Sequence, residues 1–429
     1  MKLSFKELFS NPKISYVALN ISLSGLSFIR TFISMKYLDF FDLGLIGIVQ
    51  ILMMIMSMLQ LGMVTGGYKA YSILPENLEI NNNIASYVLV MLGISLPVLI
   101  ITTHSGSTPV YIAVFGILVG ALALYNNWLT CMMLAKGDIK SLNTINLISA
   151  SRSFIALPAI VFWKLYGVLL GTAIAPILFC ITAMIKVPYL RPFRFTLQRS
   201  MIRKLLYYGF VPYLTSTFIY INIQIERWAI VKVMGVEELG RLSLCVIISA
   251  AFMIVPTSVS NLYFPTAMRS YAEGDFHRFR TIIKRYTLII AAYGIAFVAA
   301  TALLVRLLVP FFFPKHVPQI HLVYWMLPSL FFMGFNTIPI IIFNAAFKYR
   351  AIITVNIVGL LCMVGGIIGI LQFHNTQLYY FIAVESSVAI ISFLTALGVY
   401  LKIRYRLYNP KKPESNLQNG VIHLSDLSQ

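Results

Sequence analysis

The sequence predicts an all-α, polytopic membrane protein of about twelve transmembrane helices arranged as two pseudo-symmetric six-helix lobes. Three observations predict it. Of the 429 residues 59% are hydrophobic and 11% charged, with mean hydropathy +0.84, whereas a soluble domain averages roughly 45 to 50% apolar and about 25% charged. Apolar runs of the roughly 20 residues a helix needs to cross a hydrocarbon core recur along the chain, separated by short polar stretches. Motifs of the first half return in the second.

By length and flanking charge the spans fall near 14 to 35, 43 to 66, 84 to 103, 109 to 134, 144 to 164, 166 to 187, 207 to 233, 241 to 265, 286 to 309, 320 to 345, 351 to 372 and 378 to 401. The strict apolar and polar alternation of a membrane β-barrel is absent. Four segments follow: an N-terminal lobe (1–187), a basic cytoplasmic linker (188–206), a C-terminal lobe (207–402) and a cytoplasmic tail (403–429). The start of the chain, MKLSFKELFSNPK, is basic and amphipathic and lacks a small-residue cleavage site, so it reads as an interfacial helix and not a signal peptide.

Most of the 33 Lys and Arg residues lie in the terminal segments and even-numbered connections. Short cytoplasmic loops retain such residues, which places both termini in the cytoplasm of a multi-pass protein. Trp163, Trp228 and Trp325 end spans on the opposite side, where indoles favour the membrane interface. The net charge of +19 comes mainly from juxtamembrane clusters, which attract anionic headgroups, so the expected partner is the lipid bilayer and not nucleic acid. Cys131, Cys180, Cys245 and Cys362 stand singly in apolar runs and the six histidines are scattered, so neither a metal nor a cofactor is expected.

The repeat is specific. Lys36 to Gly44 (KYLDFFDLG) joins spans one and two, and Lys232 to Gly240 (KVMGVEELG) joins spans seven and eight, with Arg30 and Arg227 shortly before them. Lys140, Thr144 and Asn146 open span five as Arg350, Thr354 and Asn356 open span eleven. Each match pairs a span with the one six later, which preserves its orientation. The expected architecture therefore has an axis along the membrane normal and a substrate cavity between the lobes.

Polar residues inside the spans are the candidate binding groups. Asn20, Ser24, Ser27, Thr31 and Ser34 line one face of span one, with Arg30 beside them. Tyr213, Thr217, Tyr220, Gln224 and Arg227 repeat the pattern in span seven, and Asn146, Ser149, Arg152 and Ser153 form a shorter stripe in span five. Small hydroxyl residues also serve helix packing, but a charge near the bilayer centre costs at least about 2.5 to 3.5 kcal/mol, so Arg152 should face water or a partner. Arg30 and Arg227 sit nearer the outer boundary. Glu226 and Glu385 are acids inside spans, available to neutralise an Arg or to bind a coupling proton or ion.

The first helical pair, RTFISMKYLDFFDLGLIGIVQILMMIMSMLQLGM, and spans seven and eight with their flanks resemble the polysaccharide-exporter branch of the multidrug/oligosaccharidyl-lipid/polysaccharide (MOP) flippase superfamily, which also contains the multidrug and toxin extrusion (MATE) transporters. The likeness is strongest to the O-antigen flippases called Wzx. It rests on Glu226-Arg227, Gly240, Pro265 and Gly274-Asp275, with Glu226 standing where the family usually has Asp, and on LAKGDIKSLNTINLIS and NAAFKYRAIITVNIVG at the entries to spans five and eleven. The resemblance implies a MATE-like fold in a bacterial inner membrane. It also implies transport of an undecaprenyl-pyrophosphate-linked oligosaccharide, such as an O-antigen repeat unit of lipopolysaccharide, to the periplasmic leaflet by alternating access, alongside other membrane proteins of polysaccharide assembly. In that setting Arg30, Arg152 and Arg227 suit phosphate oxygens, and Asn20, Ser24, Ser27, Thr31, Asn146, Tyr220 and Gln224 suit sugar. Two alternatives stand beside it: a MATE-type drug or cation antiporter, which would favour acidic cavity residues, and a membrane glycan polymerase or ligase, which would need a large periplasmic loop with catalytic groups. No catalytic set of that kind is present in the sequence.

Overall fold

In a computed structural model, residues 12–73, 78–103, 109–190, 194–346, 348–373 and 377–408 are described, and among them the structure is helical with no strands. The expected interfacial N-terminal helix and most of the expected tail lie outside these residues. The helices are α1 (Pro12–Tyr37), α2 (Phe40–Leu59), α3 (Met63–Ile73), α4 (Leu78–Thr103), α5 (Val110–Lys136), α6 (Ile139–Ala150), α7 (Arg152–Lys186), α8 (Arg199–Met234), α9 (Val236–Arg241), α10 (Ser243–Ala272), α11 (Phe276–Phe312), α12 (Ile320–Ala345), α13 (Tyr349–Gln372) and α14 (Leu378–Tyr408). Two 3-10 turns, Pro188–Leu190 and Pro314–Gln319, complete them.

Nine helical stretches among the described residues are long and apolar enough to cross a membrane. One of them, Ile139–Lys186, turns back at Lys164, whose backbone is non-helical (φ 46°, ψ −118°). The Ser149 hydroxyl donates to the Ala175 carbonyl at 3.1 Å and Gly167 lies against the Ala159 backbone, so residues on either side of Lys164 meet as an antiparallel hairpin. Polar stripes lower the hydropathy of α1 and α8, yet their 26 and 36 residues exceed the roughly 20 that a crossing needs. With the hairpin taken as two passes, the twelve predicted spans each have a helix.

Some boundaries differ from expectation. Span two is broken at Gln60 to Gly62, where Leu61 (φ 49°) and Gly62 (φ 95°) separate α2 from α3. Span five is broken between α6 and α7 at Ser151, whose hydroxyl donates to the Ile148 carbonyl at 2.6 Å. Among the few acids, three are helix caps: Asp39, Asp138 and Asp275 accept from the N–H groups of Asp42, Ser141 and Arg278. Gly137 and Gly274, both left-handed, end the preceding helices, so each Gly-Asp pair stops one helix and starts the next.

The two halves of the chain meet at both ends of the second span. Near its start Gly44 lies against the Val236 carbonyl, and Gly240 against that of Phe40, leaving no room for a Cβ at either position. The contact is reciprocal, since each glycine follows by four residues the carbonyl its counterpart touches, and the pairs are the repeat motifs themselves. At the far end Gly62 and Gly66 meet Gly209 and the Leu205 carbonyl. One buried core crosses from α2 (Leu45, Leu52) through Val236 and Leu239 to Val305, Phe313 and Phe381, while a second gathers most of its residues from the first half with Leu205 of α8, and a third lies within the second half.

Residues 194–198 of the connection between the halves are fastened to α4. The N–H groups of Arg194, Thr196 and Gln198 donate to Asn82 Oδ1, Ser86 Oγ and Asn83 Oδ1 at 3.0, 2.8 and 2.7 Å. Asn81, fully buried, accepts from Trp128 Nε1 at 2.9 Å. This accounts for three consecutive asparagines in a helix that enters an apolar span.

Candidate functional site

The turn at Ser151 between α6 and α7 leaves Arg152 as the first residue of α7. Ser27 and Arg30, three residues apart on α1, share a face and point toward it. Between them is a cavity of about 350 Å³, walled by α1, α2, α5, α6 and α7. Arg30, Arg152, Ser27 and Asn146 come together here, with Ser149 and Ser153 from the same stripe.

Both guanidinium side chains line this one cavity, so two like charges share it. Arg30 Nη1 is buried without a hydrogen-bond partner, and no acidic side chain lines the cavity among the described residues. The ion pairs among the described residues are those of Arg241 with Glu237 and Glu238, both at 3.0 Å, so neither cavity arginine is neutralised. Unpaired positive charge in low dielectric is costly until water or an anion compensates it.

The remaining candidates are distributed elsewhere. Thr31 and Ser34 donate to the Ser27 and Arg30 carbonyls of their own helix at 3.0 and 2.9 Å. Ser24 is exposed and outside the cavity. The side chains of Asn20 and Tyr220 lie outside the described ones. Gln224 and Arg227 are presented by α8 to α2, where Gln224 Nε2 lies 2.7 Å from Met54 Sδ and Arg227 Nη1 lies 3.5 Å from Gln50 Oε1. Arg227 is therefore not in the chamber of the other two arginines, because the chamber forms within the first six spans and not between the halves. Glu226, buried, adjoins Arg227 on α8, and Glu385 lies on α14, so these titratable residues belong to the other half of the chain.

Two polar lining residues had not been singled out from the sequence. Asn126 of α5 accepts from the Cys180 thiol at 2.8 Å and faces the cavity, and Thr172 projects from the second arm of the α7 hairpin. A signal for Asn126 existed, an Asn-Asn pair in the middle of an apolar run. Thr172 had none.

A clasp closes one end of the molecule. Lys315, in the turn between α11 and α12, donates through Nζ to the Leu38 carbonyl at the α1–α2 junction, and its ammonium lies 5.6 Å from the Phe40 ring centroid. The fully buried His316 ring meets Phe40 edge-on at 5.0 Å, and Phe32 meets Phe313 at 4.5 Å. Lys315→Met is expected to loosen this end. The rate at which a membrane-impermeant thiol reagent reaches Ser149→Cys from the clasp side should rise at least severalfold, with access from the other side unchanged.

No protein-family model matches the chain, and no curated protein matches it. Solved structures do. An inward-facing multidrug resistance MATE family transporter of the MOP superfamily aligns with TM-score 0.69 and 16% identity over 92% of this chain and 96% of its own. An outward-facing one aligns with TM-score 0.60 and 15% identity over 95% and 98%. A MOP superfamily transporter from Pyrococcus furiosus, described as having a binding pocket whose reverse polarity suggests a different function, aligns with TM-score 0.61 and 15% identity over 96% and 100%. At these identities the fold is what is shared: the chain is a multi-pass membrane protein with the fold of MATE transporters.

Proposed function

We propose that this protein is a transporter that moves an anionic amphiphile, an oligosaccharide linked to undecaprenyl pyrophosphate, from the cytoplasmic to the periplasmic leaflet of a bacterial inner membrane by alternating access. The observation that carries this reading is the Arg30–Arg152 pair, two guanidiniums without an acidic partner in a chamber lined by no acid among the described residues. Guanidinium forks match phosphate oxygens in geometry and charge, and Ser27, Asn126, Asn146, Ser149 and Thr172 offer donors and acceptors to sugar hydroxyls. The Pyrococcus neighbour is a precedent for one fold with a pocket of reversed polarity. In purified vesicles, flipping of a fluorescent lipid-linked pyrophosphoryl sugar tests the reading. Absence of protein-dependent flipping, or normal surface glycan in a deletant with no second flippase, would overturn it.

The second reading is a MATE-type antiporter for a cationic substrate, favoured by the acids inside spans, Glu226 on α8, buried, and Glu385 on α14. Under the flippase reading these acids couple transport to an ion or proton gradient. Glu385→Gln is then expected to remove the dependence of flipping on a proton gradient while gradient-free exchange persists. If the dependence is unchanged, Glu385 has no part in coupling.

A further inference from the structure

A second cavity of about 330 Å³ lies on the opposite side of α1, between that helix, α10 and α11. Its lining is apolar apart from Thr301 and includes five phenylalanine rings, two of them, Phe28 and Phe32, from α1. Leu244, Ile247, Ile248 and Ala251 line it on α10. Leu304 and Leu308, 45% and 47% exposed, form a rim open to the hydrocarbon side. At about 100° per residue, Phe28 and Phe32 project roughly 100° to 160° away from Ser27 and Arg30. One helix about 10 Å thick thus separates a cationic chamber from an apolar groove at the same depth.

We propose that this groove seats the hydrocarbon chain of the amphiphile whose charged group occupies the arginine chamber, with α1 as the septum between them. The proposal rests on the flippase reading for the identity of the headgroup. Lipid tails are as apolar as the groove, so moving a chain into it from the bilayer brings no hydrophobic gain. What holds the chain is contact with the phenyl rings and, above all, the tether. A headgroup clasped on the other side of α1 raises the local concentration of its own chain at the groove. The seat should therefore select a chain by the headgroup attached to it.

The test places the photoreactive residue benzoylphenylalanine at Leu304, on the groove rim, and as a control at Leu288, 71% exposed elsewhere on α11. The protein is reconstituted in phosphatidylcholine vesicles containing a small fraction of undecaprenyl pyrophosphate. Cross-linking at position 304 is expected to enrich the polyprenyl chain at least tenfold over its mole fraction. Position 288 should report the mole fraction alone. The enrichment should vanish in Arg30→Gln/Arg152→Gln protein. Phospholipid cross-linked at position 304 in proportion to its abundance would overturn the proposal, and so would polyprenyl enrichment that survives loss of both arginines. Enrichment without flipping would keep the groove and sink the transport reading. Flipping without enrichment would do the reverse.

Discussion

Replacing Arg152 with alanine is expected to abolish transport while leaving the protein at normal abundance in the membrane. A hydrogen bond to a charged group contributes about 1.5 to 3 kcal/mol, roughly 10- to 150-fold in affinity, and a pyrophosphate that loses one of two guanidiniums loses at least one such bond. Arg152→Lys should retain part of the activity, because the charge remains while the fork is lost. The stability expectation has the opposite sign from that of an ordinary buried charge. Arg152 shares its cavity with the like charge of Arg30 and has no acid beside it among the described residues, so its removal should leave thermal stability unchanged or raise it. Flipping rate and unfolding midpoint, measured on the same preparation, check both parts. A variant that unfolds early and transports normally once corrected for abundance would make Arg152 a structural residue.

The largest effect on stability is expected at Gly240. A side chain there meets the carbonyl of Phe40, and backbone cannot move aside as a flexible side chain can. Overpacking costs typically about 1 to 3 kcal/mol where neighbours relax, so Gly240→Val should exceed that range and lower membrane abundance sharply. Gly44→Val should match it, because the contact is reciprocal. Gly365, helical and with nothing within 4 Å of the position a Cβ would take, is the control. Gly365→Ala should stabilise by roughly 0.5 to 1 kcal/mol through helix propensity alone. Equal tolerance at positions 240 and 365 would show that the crossing is not tight.

Hydropathy and charge made the helices legible, because burial in lipid is an average over about 20 residues that survives local error. Periodicity made part of the chamber legible too: Ser27, Arg30, Asn146 and Arg152 lie on faces that can be read from spacing and are found together. Rotation and breakage of helices were not legible. Arg227 has the spacing of a counterpart to Arg30, yet α8 turns it toward Gln50, because a repeat in sequence does not fix how each copy packs against the other. The interruptions at Leu61 and Ser151 left no trace in an apolar average. Lys315 and His316, far from Leu38 and Phe40 in the chain, could be joined to them only by the tertiary fold.

The backbone crossings at Gly44 and Gly66 stand near the two ends of the second span, either side of its break at Gln60 to Gly62. A body fixed at two points turns only about the line through them, so these contacts act as the spine of a book set upright in the bilayer. The free margin is then the edge where α1 faces α10, and parting the covers there would open a slit toward the lipid while both ends of the spine stay shut.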